Sequence, residues 1–340
     1  MKGNQIKGNQ MKVDHKKKKI ASALALSLGT AALACGCGNS AKDSGKGMKM
    51  LMTISQMDTF RLTLAGGAQQ AAADAGIQLE VLDAENVIEN QVDQIQKAAA
   101  DGYDAVLCGA IDVDTAVELK ASAGNMPIVF VNSCPDDKNL EKDAYMYVGS
   151  DDAMAGEFQA QYVLDKLSSQ NEINVVLIKG PNGHSATGGR TKGVKKTFAA
   201  SGKTINYVFE DHADWSTEKA ETMFEVFLRT GREVDCVICN NDAMALGVVE
   251  ACKKAGRDPG SLLILGVDAT ADGCEAIKNG EMAFTVYQPG SGQGQAAVEA
   301  AAALASGSSA KEMEGISEDG KYVWVPFEEV DSSNVSKYMK

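Results

Sequence analysis

The first place to look for chemistry is Cys236-Val237-Ile238-Cys239-Asn240-Asn241-Asp242, where an apolar run ends in two amides and a carboxylate. Two cysteines with two residues between them have the spacing of a redox dithiol. That chemistry normally sits at a helix start, whereas residues three apart in a strand point to opposite faces. This run is apolar and strand-like, so its thiols read as core residues. The three histidines are too scattered for a zinc site. What remains is a polar tip beyond a buried strand, which is where open α/β sheets hold ligands. The pattern recurs at Asp58, Asn132 and Asp268, each just past an apolar run. Carboxylates accept from two hydroxyls at once and amides both donate and accept, so the set suits holding a solute. Turn and helix-capping duties compete for the same residue types. Asp242 is expected to be the N-cap of the helix that follows.

Those tips need elements to carry them. From Met48 the chain alternates apolar runs with helix-period segments, the βαβ rhythm of a parallel sheet. Strands are expected at residues 50–54, 77–82, 104–108, 127–131 and 145–149, with helices between. After Gly149-Ser150 the programme starts over. Helices are predicted at 153–167, 187–200, 216–228, 243–255, 271–279 and 293–305. Strands are predicted at 173–178, 205–209, 234–239, 262–266, 283–286 and 322–326. Two successive βα runs imply an α/β protein of two doubly wound parallel-sheet lobes.

Length and charge set the outer limits. The 340 residues are enough for two ordinary domains. The formal charge is −13, and the first 34 residues carry seven Lys against one Asp, leaving a body of about −19. So acidic a body is repelled by phosphate backbones, which argues against nucleic-acid partners. At the N-terminus, Lys16 to Lys19 precede a short apolar run, Ile20 to Ala34, which ends in Ala34-Cys35-Gly36-Cys37 and a polar tether to Gly47. Residues 1–37 resemble a bacterial lipoprotein signal, with Cys37 or Cys35 as the lipidated residue and Met1 or Met11 as the start. Residues 38–47 form a flexible tether, and the mature protein is expected to be exported and lipid-anchored on the outer face of the cytoplasmic membrane or in the periplasm.

Several blocks then stand in a telling order: Asp58-Thr59-Phe60, Val131-Asn132, Gly149-Ser150-Asp151, Gly180-Pro181-Asn182-Gly183-His184 with Arg190, Asp214-Trp215, Asn240-Asn241-Asp242, Val267-Asp268 and Val325-Pro326-Phe327. Across Met48 to Asp331 the chain resembles the periplasmic sugar-binding proteins of ABC importers, with the type I fold, and most of all their glucose/galactose-binding members. The resemblance implies two lobes joined by three hinge crossings, near Gly149-Ser150, Tyr287-Gln288 and Val325-Pro326. Residues 48–149 plus 288–324 would form the N-terminal lobe, and 150–287 plus 325–340 the C-terminal lobe.

It also implies a site. A pyranose presents a rim of hydroxyls and two C–H faces, so it needs planar polar groups around it and aromatic plates on its faces. Phe60 and Trp215 are the plates. Asp58, Asn132, Asn241 and Asp268 supply the rim from strand ends, and His184 and Arg190 donate from the opposite side. Gln288 stands where the group has Asn. Ala186 stands where the group has an acidic sugar contact, which puts strict glucose/galactose specificity in doubt. The group's calcium loop should precede Ile173, but Ser168-Ser169-Gln170-Asn171-Glu172 lacks its alternating oxygen ligands. No metal and no cofactor are therefore expected. The implied function is capture of a monosaccharide, most simply an aldohexose, by hinge closure, and delivery by a monomer to an ABC permease. A sugar sensor for a chemoreceptor is the alternative. A glycosidase using Asp58 with Asp268 is a remote one, since paired carboxylates across a cleft are that chemistry's minimum.

Overall fold

A computed structural model of the protein describes residues 47–339. The signal, the tether up to Lys46, Cys35, Cys37 and the two candidate starts lie outside the described residues. The first run of elements is β1 (Lys49–Ile54), α1 (Thr59–Asp74), β2 (Gln78–Asp83), α2 (Ile88–Ala100), β3 (Ala105–Gly109), α3 (Ala116–Ala123), β4 (Ile128–Val131) and β5 (Tyr145–Gly149). The second is α4 (Asp152–Lys166), β6 (Glu172–Lys179), α5 (Ser185–Ala200), β7 (Thr204–His212), α6 (Thr217–Arg229), β8 (Cys236–Cys239), α7 (Asp242–Lys254), β9 (Leu263–Leu265), α8 (Ala271–Lys278) and β10 (Phe284–Tyr287). The chain ends with α9 (Gly290–Ala305), β11 (Tyr322–Trp324) and β12 (Glu328–Asp331).

The strands make two six-stranded sheets, ordered β2-β1-β3-β4-β5-β11 and β7-β6-β8-β9-β10-β12. The second repeats the order of the first. Each reverses direction at its second strand, which opens a crevice at the strands' carboxyl ends. Continuous apolar runs form these strands because both faces are covered. In β1, Met50, Met52 and Ile54 pack with α1 and α9, while Leu51 packs with α2 and α3. In β6, Val176 and Ile178 meet α6 and α7, and Val175 and Leu177 meet α4 and α5. Cys236 and Cys239 likewise enter opposite core layers, and burial pushes both thiols far above their ordinary pKa.

The second sheet is not purely parallel. β12, which sequence reading did not foresee, runs antiparallel to β10, with Phe284 opposite Asp331 and Tyr287 opposite Glu328. The helix expected between β3 and β4 begins as a 3₁₀ turn, Val113–Thr115, and becomes α-helical at Ala116. The helix expected from Thr187 begins two residues earlier because the His184 side chain caps it.

Three segments pass between the sheets: residues 150–151, residues 288–289 and residues 325–327. One hydroxyl ties two of them to the start of α9. Ser150 Oγ donates to the Val325 carbonyl at 2.5 Å and accepts from Gln293 Nε2, on the first turn of α9, at 2.8 Å.

Candidate functional site

All nine residues singled out from the sequence line one cavity, with Arg61 and Ala186 beside them. The first sheet's elements bring Asp58, Phe60 and Arg61 at the start of α1 and Asn132 after β4. The second's bring His184, Ala186 and Arg190 at the start of α5, Trp215 before α6, Asn241 before α7 and Asp268 after β9. Gln288 lies on a crossing segment. Three helix N-termini converge there, and their caps decide which end of each side chain faces inward.

Asn241 Oδ1 accepts from the Met244 N–H at 3.0 Å, which leaves its amide nitrogen for the cavity. Asn241 is thus the N-cap of α7, correcting the assignment of that duty to Asp242. Asp242 is instead fully buried behind the site, accepting from Thr285 Oγ1 at 2.6 Å and from the Thr270 N–H at 2.8 Å. Asp58 also caps its helix, accepting from the Arg61 N–H at 2.9 Å, while its second oxygen pairs with the Arg61 guanidinium. His184 Nδ1 accepts from the Ala186 N–H at 3.2 Å. Capping and cavity lining are therefore not alternatives here; the same side chains do both.

Arg190 is the organiser of the second lobe's wall. Its guanidinium donates to Asp152 at 3.0 Å, to the Asn240 carbonyl at 2.6 Å and to Gln288 Oε1 at 2.9 Å. The last bond turns the Gln288 amide nitrogen toward the cavity. Asn240, the first amide of the strand tip, is wholly buried and structural, accepting from the Gly180 N–H at 3.2 Å. Gly180 has no side chain because the Trp215 ring lies where a Cβ would stand. Trp215 meets His184 edge to face, with centroids 5.4 Å apart at 84°, and its indole N–H has no partner among the described residues.

The backbone is strained around this cavity. Asn132 (φ 61°), Asp214 (54°), Trp215 (64°), Asp268 (124°) and Ala269 (51°) are left-handed without being glycine. Each such residue costs on the order of 1–3 kcal/mol, and such residues cluster at functional sites. Burial drives Asp268 well above the usual carboxylate range; Arg190 opposes the shift, and Asp242 and Asp58 add to it. Burial, helped by Arg61 and Arg190, lowers His184 to about 3, so its imidazole is neutral.

Arg61 is the residue sequence reasoning missed. It is only 4% exposed and reaches His184 from the other lobe. The available signal was a cation in the first turn of a helix, where the macrodipole disfavours it. Lys179, by contrast, pairs with Glu210 at 2.9 Å and does not line the cavity.

Comparison with known proteins agrees with this architecture. The periplasmic binding protein domain matches residues 50–309. The D-galactose/methyl-galactoside binding periplasmic protein of Haemophilus influenzae is 32% identical over 287 residues, 80% of this chain and 85% of that protein. The ribose import binding protein of Bacillus subtilis is 29% identical over 269 residues, 77% of this chain and 84% of that protein. An ABC transporter solute binding protein from Bacillus halodurans C-125, solved with bound myo-inositol, is 29% identical with a TM-score of 0.77, covering 88% of this chain and 99% of that one. By a match over most of its length, the chain belongs to the periplasmic binding protein family, in the type I sugar-binding group that serves ABC importers, whose members bind solutes and are not enzymes.

Proposed function

We propose that the nine residues hold a neutral six-membered polyol ring, which the two lobes trap by closing about the crossing segments and present to an ABC permease. One observation carries this: the cavity offers polar groups and an aromatic from each lobe, yet no free charge. Arg61 is paired with Asp58, Arg190 with Asp152, and His184 is neutral. The Asp268 carboxylate takes no hydrogen bond from the described residues, and burial favours its neutral form. An ionic ligand would leave a charge uncompensated, whereas hydroxyls can donate to Asp268 and accept from the amides. Phe60 and Trp215 supply apolar surface for the C–H faces of the ring.

A glucose- or galactose-like aldohexose is the first reading. The galactose-binding relative supports it. A cyclitol is the second, favoured by the relative solved with myo-inositol and by Ala186, which offers no acid to the ring. The test is a thermal and fluorescence titration of the signal-less protein with glucose, galactose, ribose, xylose, arabinose, their methyl glycosides and myo-inositol. At a hundredfold excess over Kd, binding should stabilise the fold by about 2.7 kcal/mol. Trp215→Ala should weaken binding roughly tenfold or more and remove the fluorescence response, since Trp324, the other tryptophan, stacks on Tyr322 away from the cavity. Response to a hexose supports the first reading, and response to myo-inositol alone the second. Silence across the panel sinks both.

The mature protein is further proposed to be a lipid-anchored monomer, held by Cys37 or Cys35. Of the variants Cys35→Ser and Cys37→Ser, one should lose labelled fatty acid and leave the membrane fraction. If neither variant changes the labelling, the anchor is not there.

A further inference from the structure

The Arg61–His184 contact is a conflict of donors. The Ala186 backbone N–H can only donate, and it points at His184 Nδ1 from 3.2 Å. A neutral imidazole has one acceptor nitrogen and one N–H, so its proton lies on Nε2. Arg61 Nη2, which also can only donate, stands 3.3 Å from that Nε2. Arg61 Nε is buried with no partner among the described residues. Arg61 comes from α1 of one lobe and His184 from the cap of α5 in the other. Two donors are thus brought face to face only when the lobes come together.

We infer that Arg61 and His184 form a two-donor seat that an oxygen of the ligand completes, and that their mutual repulsion disfavours closure on an empty cleft. The inference rests on the proposed capture of a polyol ring. An oxygen placed beside the pair accepts from both groups at once, so its arrival converts a repulsive contact into two hydrogen bonds. Closure is then linked to occupancy, because only a ligand's differential interaction with the two states can shift their balance. The neighbouring charged groups do not remove the conflict. Asp58 pairs with a different nitrogen of Arg61, and Arg190 is committed to Asp152, Asn240 and Gln288.

The test begins without ligand. Small-angle scattering of ligand-free Arg61→Met should give a smaller radius of gyration than the native protein. His184→Asn, which keeps a capping oxygen for Ala186 but lacks the ring N–H, should do the same. The double variant should add little, since either change alone removes the clash. Unchanged radii in both variants would overturn the inference. Imidazole ¹⁵N spectra give an independent reading, because His212 Nδ1 faces the Gly180 carbonyl at 2.5 Å and must carry its proton there. The two histidines of the described residues should show opposite tautomers, and a proton on His184 Nδ1 would overturn the seat. With D-glucose and myo-inositol as probes, Arg61→Met should speed dissociation at least about tenfold for whichever ring binds the native protein. Unchanged dissociation would remove the ligand from the seat. Failure of both rings to bind the native protein counts against the polyol reading, and the ligand-free measurements still decide the clash.

Discussion

Replacing Asp268 with alanine should weaken capture roughly a hundredfold and remove most of its dependence on pH. Its carboxylate lines the cavity with no hydrogen-bond partner among the described residues, while the Asp58 carboxylate is already shared between a helix cap and a guanidinium. Hydrogen bonds to a charged group contribute about 1.5–3 kcal/mol each, so losing two of them costs on the order of 3 kcal/mol. The pH effect follows from linkage. In the ligand-free protein burial raises the Asp268 pKa, so the carboxyl keeps its proton well above pH 3.8. Ligand hydroxyls donating to it favour the ionised form and lower that value. Between the two values binding releases a proton, so affinity rises with pH across that window and levels off above it. Asp268→Asn keeps the shape and titrates nothing, so its weaker affinity should be flat across the same range. Calorimetric titrations from about pH 5 to pH 8, with a melting curve of each variant to confirm folding, check both statements. An Asp268→Ala affinity within a few-fold of native would mean that the ligand does not use this carboxylate.

How much of this could be read in advance depends on how local each signal is. Strands buried on both faces must be apolar throughout, and their polar tips must lie where the run stops, so Asp58, Asn132, Asn241 and Asp268 were visible as places. β12 was not, because in Glu328–Asp331 only Val330 is buried and no apolar run exists to see. Its pairing with β10 is fixed by a chain crossing from the other sheet. The exchange of duties between Asn241 and Asp242 was equally hidden. Either residue type caps a helix, and what decides is the space behind it. Gly266 and Gly273 leave room for the Asp242 carboxylate where any Cβ would collide with it. Arg61 was obscured by distance along the chain. An arginine on a helix reads as solvated until a partner 123 residues away is known.

The same pocket of glycines makes Asp242→Ala the substitution that should cost the most stability. The carboxylate joins three pieces of the second lobe: the first residue of α7, the cap of α8 through the Thr270 N–H at 2.8 Å and its hydroxyl at 3.2 Å, and β10 through Thr285 at 2.6 Å. Alanine leaves those donors buried without an acceptor and opens a void beside two glycines. The loss should be on the order of 3–5 kcal/mol, which for a chain of this size lowers the melting midpoint by roughly 8 °C. Gly273→Ala, which sets a methyl group on the carboxylate, should destabilise through the same contact. The charge itself works the other way. Burial raises the Asp242 pKa to about 6, against the hydrogen bonds from Thr285 and Thr270. The folded state therefore holds this proton more tightly than the unfolded one. Its stabilising share is present below about pH 4 and is lost as pH rises through about 6. Asp242→Asn should lose hydrogen bonds yet show a flatter dependence of stability on pH across that window. Because Asp242 also raises the Asp268 pKa, the same asparagine should move the pH window of ligand binding downward without touching the ligand. Denaturant melts and titrations of one variant thus read both effects. A stability loss without a shift of the binding window would show that the two carboxyls are not coupled in solution.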